Sequence, residues 1–192
     1  MPRWEADAAG RLERAALELF NERGFDRTTV AEIARRAGLT ERSFYRYFGD
    51  KREVLFGGGD ELERHLVRSL REAPAGADPL DALLAALADA AVVFRPKELL
   101  RIRHRVISAN PQLHERELSK MDSIYAALVA TLKERGADET TARIATDLTM
   151  SVWRIAAERW GRDDDSSFAA EVRDAARRMR RIASGREVAS ER

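Results

Sequence analysis

Proline is absent from the last 81 of the 192 residues, and the apolar residues of that stretch recur every three or four positions. Leu118, Met121, Tyr125, Leu128 and Leu132 follow this spacing, as do Phe168, Val172, Ala175, Met179 and Ile182. A chain without proline can run its backbone hydrogen bonds unbroken, and the three-to-four period gathers its apolar side chains on one helical face. A period of two is not sustained anywhere. Pro2, Pro74, Pro79, Pro96 and Pro111 divide the earlier part into segments of the same character. The pattern predicts an all-α protein of about nine helices, over 8–23, 30–37, 41–47, 51–71, 80–94, 97–109, 112–135, 139–160 and 167–183. Residues 73–79 are expected as a surface loop and the polar end after Ser184 as a frayed tail.

Composition excludes several function classes. With no cysteine there is no disulfide framework, thiolate zinc site or cysteine nucleophile. An apolar fraction of 44% beside 35% charged residues suits a folded soluble domain. The start, Met1 to Glu5, lacks the runs of a secretory signal, and no window approaches the roughly 18 apolar residues of a membrane span. A cytoplasmic location away from membranes is expected. His65, His104 and His114 are scattered and are expected as surface or packing residues. No Glu-x-x-His pair, His-Glu-x-x-His helix or Gly-x-Ser-x-Gly elbow occurs. Neither an enzyme nor a metal or cofactor site is therefore expected.

Overall charge is nearly neutral, with 34 basic and 33 acidic residues, but its distribution is not. Between residues 27 and 52 stand seven basic residues (Arg27, Arg35, Arg36, Arg42, Arg46, Lys51, Arg52) against three acidic ones (Glu32, Glu41, Asp50). A cationic patch near one end of a neutral chain points to a polyanionic partner.

That segment also carries three helix starts. Thr29 and Glu32 have capping-box spacing, Asp50 and Glu53 repeat it, and Thr40 can cap a third start. Between them, Ala37-Gly38-Leu39-Thr40 offers a glycine to end one helix and a threonine to begin the next, which is helix-turn-helix arithmetic. Val30, Ile33, Ala34 and Ala37 would face inward, and Phe44 and Phe48 would anchor the second helix against Leu12, Ala16, Leu19 and Phe20. Glu41, Arg42, Ser43, Tyr45, Arg46 and Tyr47 then face a partner. Guanidinium, hydroxyl and phenol groups on a short helix suit the major groove of DNA, and Lys51 at a helix start favours phosphate docking. Thr28, Thr29 and Thr40 complete the expected DNA-binding set. The alternative partner for this segment is a protein.

The run from Ala15 to Val30, with Ile33-Ala34, Ala37 to Thr40 and Phe44 to Lys51, resembles the N-terminal domain of the tetracycline-repressor (TetR) family over about fifty residues. The resemblance implies a dimeric one-component transcription regulator, usually a repressor, that releases a palindromic operator when a small molecule binds. It implies a helix-turn-helix DNA-binding domain over 1–56 and a variable all-α ligand-binding and dimerisation domain over 57–192. Arg42 stands where the family often has glycine, and Tyr47 where it usually has histidine, so the operator sequence does not carry over from relatives.

Gly57-Gly58-Gly59 is expected to kink or break a helix, either as a hinge or as a plain loop. From Gly57 onward the charges balance, so no second nucleic-acid surface is expected. The helix after Glu139 has one stripe of Ile144, Leu148, Val152 and Ile155 and another of Thr149, Trp153, Ala156 and Trp160. One stripe could meet a second subunit, or both could close a single-chain core. With Phe168, Val172 and Met179 of the final helix, the first stripe makes the expected dimer interface. Leu83, Leu87, Phe94, Ile102, Val106, Tyr125 and Trp153 are candidates to line a ligand pocket. Arg101, Arg103, His104 and Arg105 form a basic cluster. The C-terminal half distantly resembles the acyl-CoA-sensing branch of the family, in which such a group, here Arg103, would meet phosphate beside an apolar tunnel; the other reading is a solvated helix face.

Overall fold

The computed structural model describes residues 8–163 and 165–185, and all regular elements among them are helical. Among the described residues nine α-helices run in order: α1 (Ala8–Arg23), α2 (Val30–Arg36), α3 (Glu41–Tyr47), α4 (Gly57–Glu72), α5 (Pro79–Asp89), α6 (Lys97–Ser108), α7 (Pro111–Glu134), α8 (Glu139–Arg162) and α9 (Phe168–Ala183). Local signals set most of the starts. The side chains of Asp78, Asp138 and Ser167 accept hydrogen bonds from the first free backbone N–H groups of α5, α8 and α9. Residues 186–192, most of the tail expected after Ser184, lie outside the described residues.

Two expected helices are interrupted. The 51–71 segment opens with a 3-10 turn at Glu53–Leu55, and α4 starts only at Gly57; the 80–94 segment ends in a second 3-10 turn at Ala90–Val93. The glycines are thus neither a loop nor a mid-helix kink. They form the first turn of α4, where backbone N–H groups lack intrahelical partners anyway and glycine costs least.

The chain divides into two compact units. The first comprises residues up to Asp60 together with Arg95–Lys120. Its core joins Leu12, Ala16, Leu19 and Phe20 of α1, Ile33 of α2, Phe44 of α3 and Val54 to Phe56 with Ile102, Val106 and Ile107 of α6 and Leu113 of α7. This differs from a division at 56, because the apolar stripe of α6 is buried against α1. Polar contacts follow the same route: Arg95 Nε donates to the buried carboxylate of Glu13 at 2.8 Å, and Arg105 donates to Asn21 Oδ1 at 2.7 Å.

The second unit holds Glu61–Phe94 and the residues from Met121 on. Leu62, Leu66 and Leu70 of α4 pack with Leu83 of α5, Ile124, Leu128 and Leu132 of α7 and Ala142 and Ala145 of α8. A neighbouring cluster joins Leu84 and Leu87 to Val152 and Ala156 of α8 and Phe168, Val172 and Ala175 of α9. Phe94, Trp160 and Phe168 form an aromatic triangle with centroids 4.8 to 5.8 Å apart. The buried hydroxyls of Thr146 and Thr149 each donate to the carbonyl four residues back at 2.8 Å, so neither is an orphan. His65 is buried on α4, with Nε2 3.2 Å from Asp89 Oδ2, whereas His104 and His114 are exposed. Among the described residues no cluster of His, Asp or Glu is placed to hold a metal ion, and no helix is long and apolar enough to cross a membrane.

Candidate nucleic-acid interface

Residues 29–48 form the expected helix-turn-helix. Thr29 caps α2: its Oγ1 accepts from Glu32 N at 3.3 Å while Glu32 Oε2 accepts from Thr29 N at 2.9 Å. This reciprocal box holds the Glu32 carboxyl below its ordinary range, the Thr29 backbone bond being the main cause. At the other end Gly38 takes φ +67°, and Leu39 N donates to Ala34 O at 2.8 Å and Gly38 N to Arg35 O at 3.1 Å. These paired bonds satisfy the last carbonyls of α2 and turn the chain sharply. Thr40 then caps α3 by accepting from Ser43 N at 3.2 Å.

α3 has seven residues, of which Phe44 is fully buried. Its ring packs 5.4 Å from Phe48 and edge-on to Tyr45 at 5.6 Å. One buried aromatic per short helix suffices to set its rotation, so the remaining residues face outward. Tyr45 is 55% exposed, Tyr47 is 36% exposed, and Glu41, Arg42 and Arg46 are exposed as well. The Arg46 guanidinium lies 4.9 Å above the Tyr47 ring and donates to its hydroxyl at 2.9 Å. Such a face offers charge-assisted donors, phenol tips and apolar ring surface together.

Part of the basic surplus is neutralised locally. Arg36 grips Glu22 through two bonds of 2.8 and 2.9 Å, which lowers the Glu22 pKa, and Arg52 pairs with Asp50 at 2.7 Å. Asp50 caps only half as expected. It accepts from Arg52 N and Glu53 N, but the Glu53 carboxylate goes to Arg116 and returns nothing to it.

Two residues of the expected DNA-binding set are engaged within the chain. Thr28 is 1% exposed, and its hydroxyl donates to Gly24 O at 2.9 Å, so it serves the backbone. Lys51 does not stand free at a helix start: it is half-buried, and its Nζ donates to Phe25 O at 2.7 Å and Thr28 O at 2.9 Å. Desolvation lowers its pKa. Thr29, Thr40 and Ser43 keep some exposure, with hydroxyls committed to capping and, for Ser43, to Thr40 at 3.0 Å. The residue missed from sequence is Phe25, whose carbonyl and ring both receive Lys51; an aromatic after the helix-ending Gly24 was the available signal.

The other candidates separate between the units. Ile102 and Val106 are core residues of the first unit, and Arg103 there donates to Leu55 O at 2.6 Å and ion-pairs with Glu117. They are not grouped with Leu83 and Leu87, which are buried in the core of the second, or with Phe94 and Trp153, which are half-buried and pack against that core, while Tyr125 is half-buried. Two open depressions of about 360 and 370 Å³ lie along α4 and against α5, and none of the ligand candidates lines them. On α8, Ile144 and Ile155 are 55% and 40% exposed and Leu148 is half-buried, whereas Val152 turns inward with Thr149 and Ala156. Phe168 and Val172 are likewise buried within the chain, and Met179 is half-buried. Their removal from the expected dimer face has one cause: α8 and α9 pack closely on each other and on α5, and that contact takes the inner stripes.

Residues 13–56 match the family model described as bacterial regulatory proteins, tetR family. A transcriptional regulator of the helix-turn-helix type from Mycobacterium bovis is 37% identical over 95 residues, 50% of this chain and 49% of that protein. The chain thus spans about half the length of the first curated relatives it matches. The regulator TcmR of Streptomyces glaucescens is 26% identical over 160 residues, 78% of this chain and 71% of that protein. Among solved structures, the transcriptional repressor FadR of Thermus thermophilus in complex with lauroyl-CoA is similar with a TM-score of 0.56 and 27% identity, over 96% of this chain and 99% of that one. Residues 13–56 thus carry the N-terminal motif of the tetR family of bacterial regulatory proteins, and in fold the described chain is similar to regulators of that family.

Proposed function

We propose that this chain is a homodimeric, cytoplasmic DNA-binding regulator that represses transcription from a palindromic operator and is released by a small molecule. The observation that carries the proposal is the outward face of α3, where Arg42, Tyr45, Arg46 and Tyr47 are held out by the buried Phe44. Arginine can fork onto guanine, and tyrosine and exposed hydroxyls can reach phosphate or a thymine methyl. The exposed isoleucines of α8 support pairing with a second copy, since two aliphatic side chains and the half-buried Leu148 leave a stripe that water solvates poorly. Two-fold symmetry of such a dimer requires a palindromic site.

The similar repressor solved with lauroyl-CoA supports an apolar or acyl-CoA-like molecule as the ligand. A coupling of about 1 to 3 kcal/mol, a 5- to 150-fold loss of operator affinity, is sufficient for control. The test is selection of duplexes from a random pool, followed by titration of the selected duplex at several salt concentrations and then with lauroyl-CoA. Preference for one palindrome, affinity that falls steeply with salt and release by the thioester are expected. Equal affinity for random and selected duplexes would overturn DNA recognition and leave the face of α3 for a protein partner.

A further inference from the structure

Resting on the homodimer reading above, we infer that a second copy of the chain lies antiparallel along α8 with its centre near Met150, and that four charges beside the apolar stripe select this partner and this direction. Ile144, Leu148, Ser151 and Ile155 are exposed or half-buried and stand four, three and four positions apart. At about 100° per residue they fall within about 60° of the helix surface. Their spacing reads the same in either direction, so two copies laid antiparallel set Ile144 against Ile155 of the partner subunit twice over.

One edge of this stripe is charged. Arg143, Asp147, Arg154 and Glu158 are all exposed, stand four, seven and four positions apart, and fill the next 60° or so of the surface. The opposite edge is closed by α9, where Arg159 donates to Asp174 at 2.7 Å. Read along the chain, the four signs are plus, minus, plus and minus. Read backwards, they are minus, plus, minus and plus. A two-fold axis across antiparallel helices keeps both charged edges on the same side of the contact. Arg143 then meets Glu158 of the partner subunit, and Asp147 meets Arg154 of the partner subunit. A parallel copy sets every charge beside its like, which costs free energy.

Both patterns share one centre to within a residue: the stripe is symmetric about the 149–150 bond and the charges about the 150–151 bond. The offset is about 1.5 Å along the axis, small beside the 8 to 10 Å that separates packed helices. Within the chain the inner charges are unspent, since among the described residues Asp147 and Arg154 have no ion pair. Glu158 already accepts from Arg162 at 2.7 Å, so the inner pair carries the larger effect.

The experiment reverses that inner pair in the full chain: Asp147→Arg, Arg154→Asp, and the two together. Dimer dissociation is followed by analytical ultracentrifugation at low salt, with circular dichroism to show that each variant is folded. Each single reversal sets like charges together at two symmetric places and is expected to raise the dissociation constant about tenfold. The double reversal is expected to restore the parent value. In an equimolar mixture of the two single variants, native mass spectrometry is expected to find mixed dimers in excess of either homodimer, and added salt to erase the excess.

Single reversals that dimerise like the parent, or a double reversal as weak as the singles, would overturn the pairing of these charges while leaving the homodimer in place. A preference of Asp147→Arg for the unaltered chain as its partner would overturn the antiparallel direction, because only a parallel pair brings position 147 against itself. A parent chain that stays monomeric at every concentration would instead bring down the homodimer reading and this inference together.

Discussion

α3 and α8 both leave large side chains in solvent, but of opposite chemistry. On α3 these are Tyr45 and Tyr47, interleaved with Arg42 and Arg46; on α8 they are Ile144 and Ile155, with Leu148 half-buried between. A tyrosine has a polar tip and lies comfortably in water or against a nucleic acid, whereas isoleucine has no polar handle and gains only by removal from water. Exposure alone therefore says little about a surface. The chemistry of what is exposed suits a polyanion on one helix and a second apolar face on the other, which is what the proposed function assigns to them.

The strongest way to break this comparison is to remove what holds α3 in place. Phe44→Ala should cost about 3 to 5 kcal/mol, seen as a large fall in melting temperature, and should abolish duplex binding with it. A melting curve that does not move would show that Phe44 does not anchor the helix. Next comes the α8 face. Ile144→Asp combined with Ile155→Asp should raise the dimer dissociation constant at least about a hundredfold, at roughly 1.5 kcal/mol per side chain. Analytical ultracentrifugation should then find monomers for the double variant and dimers for the parent chain, as proposed, while the melt of each chain changes little.

A smaller change sharpens the other side. Arg42→Ala should alter base preference by about 1 to 3 kcal/mol at one position of the selected duplex, with little effect on unrelated sequence. Uniform weakening across all duplexes would reassign Arg42 to the phosphate backbone. Smallest is the cap of α2, where Thr29→Ala should cost about 1 kcal/mol by chemical denaturation. Glu32 adds a pH signature to it. Its carboxyl is held below the ordinary range in the folded chain, so its contribution is in place at neutral pH and is lost as pH falls through the folded value. The gap between parent and variant should therefore narrow as pH falls below the ordinary carboxylate range. A constant gap would mean that the hydrogen bond from Thr29 Oγ1 to Glu32 Oε2 adds nothing.

Much of the fold and the outline of the site were legible in the amino-acid order. The helix pattern, the Thr29–Glu32 box, the turn at Gly38, the inward Phe44 and the outward Tyr45 all match, because each depends on groups within a few positions of one another. Periodicity also announced that α8 is apolar on two sides. It did not assign Val152, which a rotation of a few tens of degrees transfers from the outer stripe to the inner one.

What sequence determined by itself is thus local: where helices start and stop, which short helix is exposed, and the family motif that residues 13–56 carry. Only tertiary structure decided that Lys51 turns toward carbonyls 23 and 26 residues away, that Glu117 captures Arg103, and that α6 completes the core around α1. These outcomes depend on partners brought together by packing across long stretches of chain. A lysine or arginine carries no local preference for one partner over another, so its role becomes visible only when the surrounding charges and carbonyls are in place.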